Sequence, residues 1–251
     1  MAKLTVIVLT KNEEQNIVDV VKNSKQVTDD VLIIDSGSTD KTCELAEKYG
    51  ARVVFRAWDN DFSAQRNFGL TQTDADWVLY LDADERLNDE LVADVKLQVQ
   101  KNTDKQYSFK RKSVAFGQEF NYGVLRPDKV ARMFKRERVH WVNKVHERPE
   151  CKDAIVQLKG FVRHYTYTSW EQYFTKFNHY TTIWAENAYE QGKTISPIGI
   201  CLRMFFGFIK MLILKGGILD GWLGIVLSFI HVFYTMTKYV KLQALHNSAN
   251  K

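Results

Sequence analysis

The sequence predicts an α/β protein: a mostly parallel β-sheet flanked by helices, followed by a helical C-terminal extension. Three observations carry this expectation. Short apolar runs alternate with segments of helical period through the first hundred residues, the pattern of strands buried on both faces and joined by crossover helices. Three of those runs end in polar clusters, TKNE at 10–13, DSGS at 35–38 and DAD at 82–84. That places the clusters along the carboxyl edge of one sheet, where such folds bind ligands. From about residue 196 the chain turns strongly apolar.

Each element follows from local chemistry. "LTVIVLT" at 4–10 reads as a strand, and "NEEQNIVDVVKNSK" as a helix, with Ile17, Val20 and Val21 at helical spacing. Asn12 is its expected N-cap, with Glu13 and Glu14 suiting the positive helix end. "DVLIID" is a second strand that ends in a polar turn, and "DKTCELAEKYG" is a helix stopped by Gly50. "ARVVFRA" is a third strand, "DFSAQRNFGLTQT" a short helix, "DWVLYLDAD" a fourth strand and "NDELVADVKLQVQKN" a further helix. Beyond residue 100, "QYSFKRKSVAFG", "KVARMFKRERVHW" and "AIVQLKGFVRHYTYT" are rich in Val, Phe and Tyr, as strands that extend the sheet would be.

A chain of 251 residues with 45% hydrophobic content suits one large domain, or a domain with an appendage. Cys43, Cys151 and Cys201 lie far apart without metal-type spacing, which predicts free thiols in a reducing compartment. The apolar run near residue 4 is too short for the central region of a signal peptide, so export is not expected. The net charge of +5 hides an asymmetry. Residues 1–100 carry 11 Lys and Arg against 19 Asp and Glu, whereas 105–148 carry 12 against 4. The basic residues are dispersed through strand-like sequence with no recognition helix or RNA-binding motif, so no nucleic-acid partner is expected. An anionic lipid or a phosphorylated substrate fits better.

The chemistry concentrates at "WVLYLDADERL", 77–87. A buried strand that ends in Asp82, Asp84 and Glu85 groups carboxylates that repel one another unless a cation compensates. No G-x-G-x-x-G and no Walker loop follows the first strand. An Asp-x-Asp after a buried strand offers another way to handle a pyrophosphate, through a divalent cation held by carboxylates.

The motifs "VIVLTKNEEQNI", "VLIIDSGSTDKT", "SAQRNFGL" and "WVLYLDADERL", in this order and spacing, resemble the family 2 glycosyltransferases of the GT-A fold. The later "VHE" and "GGILDGWLG" resemble the bacterial subgroup that adds a β-1,4-linked glucose to the lipopolysaccharide inner core. The resemblance implies a nucleotide-sugar-binding half over 1–100, an acceptor-binding half over 101–168 and a helical extension over 169–251. It implies that Thr10, Asn12, Glu13, Asp35 and Ser36 line the nucleotide pocket, with Asp35 accepting the uracil N–H. Arg66 would lie near uridine or pyrophosphate, Asp82 near the ribose, and Asp84 would ligate Mg²⁺ or Mn²⁺. His164 would be a further metal ligand, as histidine is in several GT-A enzymes, against the plainer reading of a structural histidine.

Transfer from an activated sugar needs one base for the acceptor hydroxyl. Glu147 in "KVHERP" is the best candidate: it sits in a cationic stretch, and an acidic residue at this place is the base in the resembling families. A salt bridge to Arg148 or Lys144 is the plainer role for it. Glu85 and Asp128 are lesser candidates, and His146 would orient Glu147. In the tail, 169–193 reads as one helix with several aromatic residues, and 198–214 and 222–237 as two apolar helices shorter than a bilayer span. Each has a polar stripe: Arg203, Gly207 and Lys210 on the first, and Asp220, Gly224, Ser228, His231, Thr235 and Lys238 on the second. Wide apolar faces of this kind fit helices in the membrane interface or packed against a partner, including a second copy of the chain.

The expected function is thus an inverting transfer of a sugar, by resemblance glucose, from a UDP-sugar to a lipid-linked, phosphorylated glycan acceptor, by resemblance the inner-core heptose. The expected place is the cytoplasmic face of the inner membrane. The rivals are a polyprenyl-phosphate sugar synthase of the dolichyl-phosphate mannose synthase type, whose acceptor needs no base, and a catalytically dead membrane adaptor.

Overall fold

The structure, a computed structural model, describes residues 2–144 and 147–249. In chain order the elements are β1 (Leu4–Thr10), α1 (Ile17–Ser24), β2 (Val31–Asp35), α2 (Thr42–Lys48), β3 (Arg52–Phe55), α3 (Phe62–Thr71), β4 (Trp77–Asp82), β5 (Glu85–Leu87) and α4 (Asp89–Lys101). Then follow β6 (Lys105–Ala115), β7 (Gln118–Glu119), β8 (Asp128–Lys135), β9 (His140–Val142), β10 (Arg148–Glu150), β11 (Ala154–Tyr167), α5 (Trp170–Glu190), α6 (Pro197–Ile209) and α7 (Gly221–Ala249). The main sheet runs β3-β2-β1-β4-β8-β6-β11-β5, with β7 on β6, and β9 and β10 form a separate pair. β3, β2, β1 and β4 are parallel, and β8 is antiparallel to both β4 and β6. This is the expected helix-flanked α/β sheet.

The chain forms two compact units, 1–111 with 128–164, and 112–127 with 165–251. The first is built on β4, whose residues Trp77 to Leu81 are fully buried. Trp77, Leu79 and Leu81 join the core shared with Ile17, Val20 and Val95 of α1 and α4. Val78 and Tyr80 point the other way, into a core with Ile7, Phe134 and Trp141. A strand with helices on both faces cannot alternate polar and apolar residues, which is why "WVLYL" is a continuous run. Asp61 and Asn88 cap α3 and α4, accepting the Ala64 and Leu91 backbone N–H at 2.9 and 3.1 Å.

Two details depart from expectation here. Asn12 does not cap α1, which starts five residues later. Asn12 has φ 55°, a left-handed conformation that Asn tolerates, and its side chain serves the loop after β2. Glu85–Leu87 is an unexpected strand, antiparallel to β11, with Glu85 opposite His164. His164 accordingly sits inside β11.

In the second unit, α6 continues through a π-helical turn, Lys210–Leu214, and α7 runs for 29 residues. The second apolar helix is therefore longer than expected, because the residues after 237 contain no Gly or Pro to stop it. The segments Pro197–Leu214 and Gly217–Ser248, of 18 and 32 residues, each hold an 18-residue stretch, of mean hydropathy 1.8 and 1.6, that is long and apolar enough to cross a membrane. The polar stripes turn toward each other: a Cβ at Gly207 would lie 3.8 Å from the His231 ring, and Ser228, Thr235 and Asp220 are buried. The Asp220 carboxylate accepts the Asn121 and Tyr122 N–H groups at 3.1 and 2.8 Å. Position 224 must be glycine, since a Cβ there would run into the Gly217 carbonyl oxygen. The outward faces carry Leu202, Phe205, Phe206, Leu214, Trp222 and Phe233, all more than half exposed. All three cysteines are free thiols.

Candidate active site

The parallel register brings the polar strand ends together. Thr10 pairs with Asp35, and Leu9 with Asp82. Asp35 is 3% exposed. Its Oδ2 accepts the Gly37 and Ser38 N–H at 2.8 and 2.9 Å, and its Oδ1 accepts the Ser38 hydroxyl at 2.5 Å. Burial opposes its ionisation, but these donors prevail and hold its carboxyl below the usual range. Thr10 Oγ1 lies 3.5 Å from Asp35 Oδ1, and the Ser36 N–H donates to the Thr10 carbonyl at 2.9 Å. Asn12 and Glu13 join the same layer. The Asn12 N–H donates to Ser38 Oγ at 2.8 Å, while its Oδ1 accepts the Thr39 N–H at 2.8 Å. The Glu13 N–H donates to Thr42 Oγ1 at 2.8 Å. Thr10, Asn12, Glu13, Asp35 and Ser36 thus form one cross-braced pair of loops, with most of the Asp35 lone pairs occupied by its own turn.

Asp82 is the hub of the next layer. Arg66 on α3 is 2% exposed and reaches Asp82 Oδ1 with Nη2 at 3.1 Å. Arg132 donates from Nη2 to Asp82 Oδ2 at 3.0 Å. Arg132 gets there through a bulge: Tyr107 pairs with Met133 and Ser108 with Ala131, leaving Arg132 as the extra residue on β8. Burial opposes ionisation of Asp82, but Arg132 and Arg66 hold its carboxyl far below the usual range. Glu85, fully buried, accepts the Asp82 N–H with Oε2 at 3.1 Å, and its Oε1 lies 3.5 Å from Arg111 Nη1. Burial and the Asp82 charge push its carboxyl up. A fully buried Glu85 is closed to an acceptor, and Asp128 is paired to Arg111 at 2.7 Å.

Asp84 and His164 also meet, with Asp84 Oδ2 3.1 Å from His164 Nε2. Burial disfavours the charged imidazole, but Asp84 outweighs it and raises the His164 pKa. No group of three or more His, Cys, Asp or Glu among the described residues is placed to hold a metal ion by itself. One carboxylate and one imidazole side by side suit a divalent cation whose remaining ligands are substrate phosphate oxygens and water.

Glu147 lies beside this hub. Its Oε1 accepts from Arg66 Nη2 at 3.2 Å and Nε at 3.3 Å, so its partner is Arg66 rather than Arg148 or Lys144. His146 lies outside the described residues. Arg66 is held over the Trp141 and Tyr80 rings at 4.7 and 5.5 Å. Its Nη1 is buried and donates to no group among the described residues. Arg132 and Trp141 are the parts that motif reading did not assign to the site, and Glu85, a lesser candidate for the base, is instead buried and bonded to the Asp82 N–H. Arg132 depends on a bulge invisible in "KVARMF", and Trp141 is distant in sequence. For the burial of Glu85, the buried strand just before it was the available signal.

The sequence model of Glycosyl transferase family 2 matches residues 5–152. Over 258 residues the chain is 28% identical to an uncharacterized glycosyltransferase of Rickettsia typhi, covering 98% of this chain and 88% of that protein. It is 23% identical to the lipopolysaccharide core biosynthesis glycosyltransferase LpsC of Rhizobium meliloti, covering 98% and 95%. Among solved structures, glucosyl-3-phosphoglycerate synthase from Mycobacterium tuberculosis superposes with a TM-score of 0.42 at 22% identity, over 54% of this chain and 57% of that one.

Proposed function

The chain belongs to glycosyl transferase family 2, and from that premise we propose an inverting, metal-dependent transfer of a hexose from a UDP-sugar to a lipid-linked acceptor. The observation that carries this is the convergence of Asp82, Arg66, Arg132 and Glu147 at the carboxyl end of β4, with Asp84 and His164 alongside. The braced loops of Thr10, Asn12, Glu13, Asp35 and Ser36 would receive the uridine. Asp82, held between two guanidinium groups, has a fixed position from which to accept ribose hydroxyls. Arg66 Nη1, without a partner among the described residues, is a donor that a diphosphate oxygen would satisfy.

Asp84 and His164 would hold Mg²⁺ or Mn²⁺, which when bound would neutralise charge on the departing diphosphate. Glu147 would take the proton from the acceptor hydroxyl. The freed oxygen pair would form the new bond to the anomeric carbon as its bond to the diphosphate oxygen breaks, and UDP would leave. Attack from the face opposite the leaving group inverts the anomeric centre. Arg66, now drawn toward the diphosphate, would loosen its hold on Glu147 as the donor binds.

The apolar outward faces of α6 and α7 support residence at a membrane, on the cytoplasmic side if the acceptor is assembled there. The inner-core heptose of lipopolysaccharide is the acceptor that the resemblance favours, and the LpsC similarity over nearly the whole chain is consistent with it. The Arg66–Glu147 ion pair also suits a second reading. If Glu147 only positions Arg66, the acceptor is itself a phosphate, as in a polyprenyl-phosphate sugar synthase. A panel of nucleotide sugars offered with extracted lipopolysaccharide precursors or polyprenyl phosphate, read by mass spectrometry, separates the two. Hydrolysis of no nucleotide sugar in the presence of metal would favour an inactive adaptor.

A further inference from the structure

We propose that Lys110 and Lys129 form a phosphate-binding subsite that holds a phosphomonoester of the acceptor. This rests on the transferase reading above. The two lysines stand directly opposite each other in the antiparallel pair of β6 and β8. Both are exposed, and neither has a hydrogen-bond or ion-pair partner among the described residues. Like charges directly across a pair of strands are destabilising. The next rung shows the usual solution: Arg111 faces Asp128 and is bonded to it through Nε and Nη2 at 3.1 and 2.7 Å. The Lys110–Lys129 rung lacks that anion.

Its position suits an acceptor. On the preceding rung Phe109 faces Val130, and both pack into the core shared with α1 and α4. By alternation, Lys110 and Lys129 stand on the opposite face of the sheet. That is the face on which Ala131 packs with Phe134 and Trp141, and Trp141 carries the Arg66 guanidinium that holds Glu147. Lys129 is three residues along β8 from Arg132, the partner of Asp82, or about 10 Å at a rise of roughly 3.3 Å per residue. A phosphorylated sugar seated beside Arg132 and Asp82 can reach such a distance along β8. The donor diphosphate is placed at the Arg66 end, so it does not compete for this rung. Two ammonium groups on flexible stems, with Cβ atoms about 5 Å apart in such a pair, act as converging point charges suited to one tetrahedral anion.

The test is lysine footprinting of the full-length protein. Acetylation rates at each lysine are read by mass spectrometry at constant ionic strength, with glycerol 3-phosphate, with glycerol, and with anionic phospholipid vesicles. The expected result is that glycerol 3-phosphate slows both Lys110 and Lys129 by about threefold or more, with Lys48 and Lys101 unchanged and glycerol without effect. Lys129→Ala should abolish the protection of Lys110, and Lys129→Arg should preserve it. Equal slowing at all exposed lysines, no slowing at the pair, or protection of Lys110 that survives Lys129→Ala would overturn the subsite. Protection by vesicles but not by glycerol 3-phosphate would assign the pair to lipid headgroups and equally overturn it. A failure of the transferase reading is a separate result, seen as wild-type protein that hydrolyses no nucleotide sugar.

Discussion

Arg66 and Glu147, 81 positions apart in the chain, meet through two contacts of 3.2 and 3.3 Å, and the same guanidinium holds Asp82 at 3.1 Å. One buried cation thus links the candidate base to the carboxylate at the end of β4. Glu147→Gln keeps the shape and removes the basicity. Transfer should fall by about 10²- to 10⁴-fold, the scale of general-base effects, with donor affinity nearly unchanged. Retention of most of the turnover, with a polyprenyl phosphate serving as acceptor, would support the second reading. A parallel loss of donor affinity would make Glu147 structural.

Arg132→Leu removes one of the two cations that neutralise Asp82. The Arg132 side chain is 10% exposed and Asp82 32%, so the broken pair should cost about 2 kcal/mol, below the usual range for a fully buried pair because Arg66 remains. Urea denaturation of the variant measures this. A midpoint equal to that of the wild type would mean that Arg132 does not stabilise Asp82.

Acid stability follows from Asp35 and Asp82, both held below the ordinary range by their donors and cations. A depressed folded pKa contributes stability that is present above the unfolded value, about 3.9, and is lost as pH falls toward the folded value. The urea midpoint should therefore be insensitive to these two groups above about pH 5 and drop below about pH 4. Asp35→Asn should lower the midpoint at pH 7 and flatten the acid limb. An unchanged acid limb would remove Asp35 from this account.

At the α6–α7 connection, Leu214 and Trp222 are 74% and 75% exposed, while the nearby acid, Asp220, is turned inward onto Asn121 and Tyr122. Replacing both Leu214 and Trp222 with Lys should cut co-sedimentation with anionic vesicles several-fold, because apolar burial supplies most interfacial binding. Salt alone should release the wild type only partly, since screening leaves the apolar contribution intact. Complete release by moderate salt would contradict insertion of this region.

The parallel half of the fold was legible because its strands are buried on both faces. "VLIID" and "WVLYLD" can hardly be anything else between helices with clear stops. The carboxylates at their ends then pointed to the candidate site along that edge of the sheet. The antiparallel half was legible only as strand-rich sequence. Arg132 reaches Asp82 through a register shift that depends on tertiary pairing, and the Arg66–Glu147 contact depends on how α3 packs beside Asn143 and Lys144. Asn12 was misread because an Asn before a helical pattern looks like a cap, whereas here the chain turns left-handed to brace the neighbouring loop. The polar stripes of the tail were visible, but their direction was not: helical period marks a face without saying whether it meets solvent or a partner helix.

The central claim is a metal-dependent donor site at Asp84 and His164. Its most direct measurement is UDP-sugar binding and hydrolysis by the full-length protein, with Mg²⁺ or Mn²⁺ and with excess chelator, for the wild type and Asp84→Ala. The account predicts that chelation abolishes turnover and that Asp84→Ala lowers it by about 10²-fold or more, several kcal/mol of lost leaving-group stabilisation. Full turnover in chelator, or near wild-type turnover of Asp84→Ala, would contradict it.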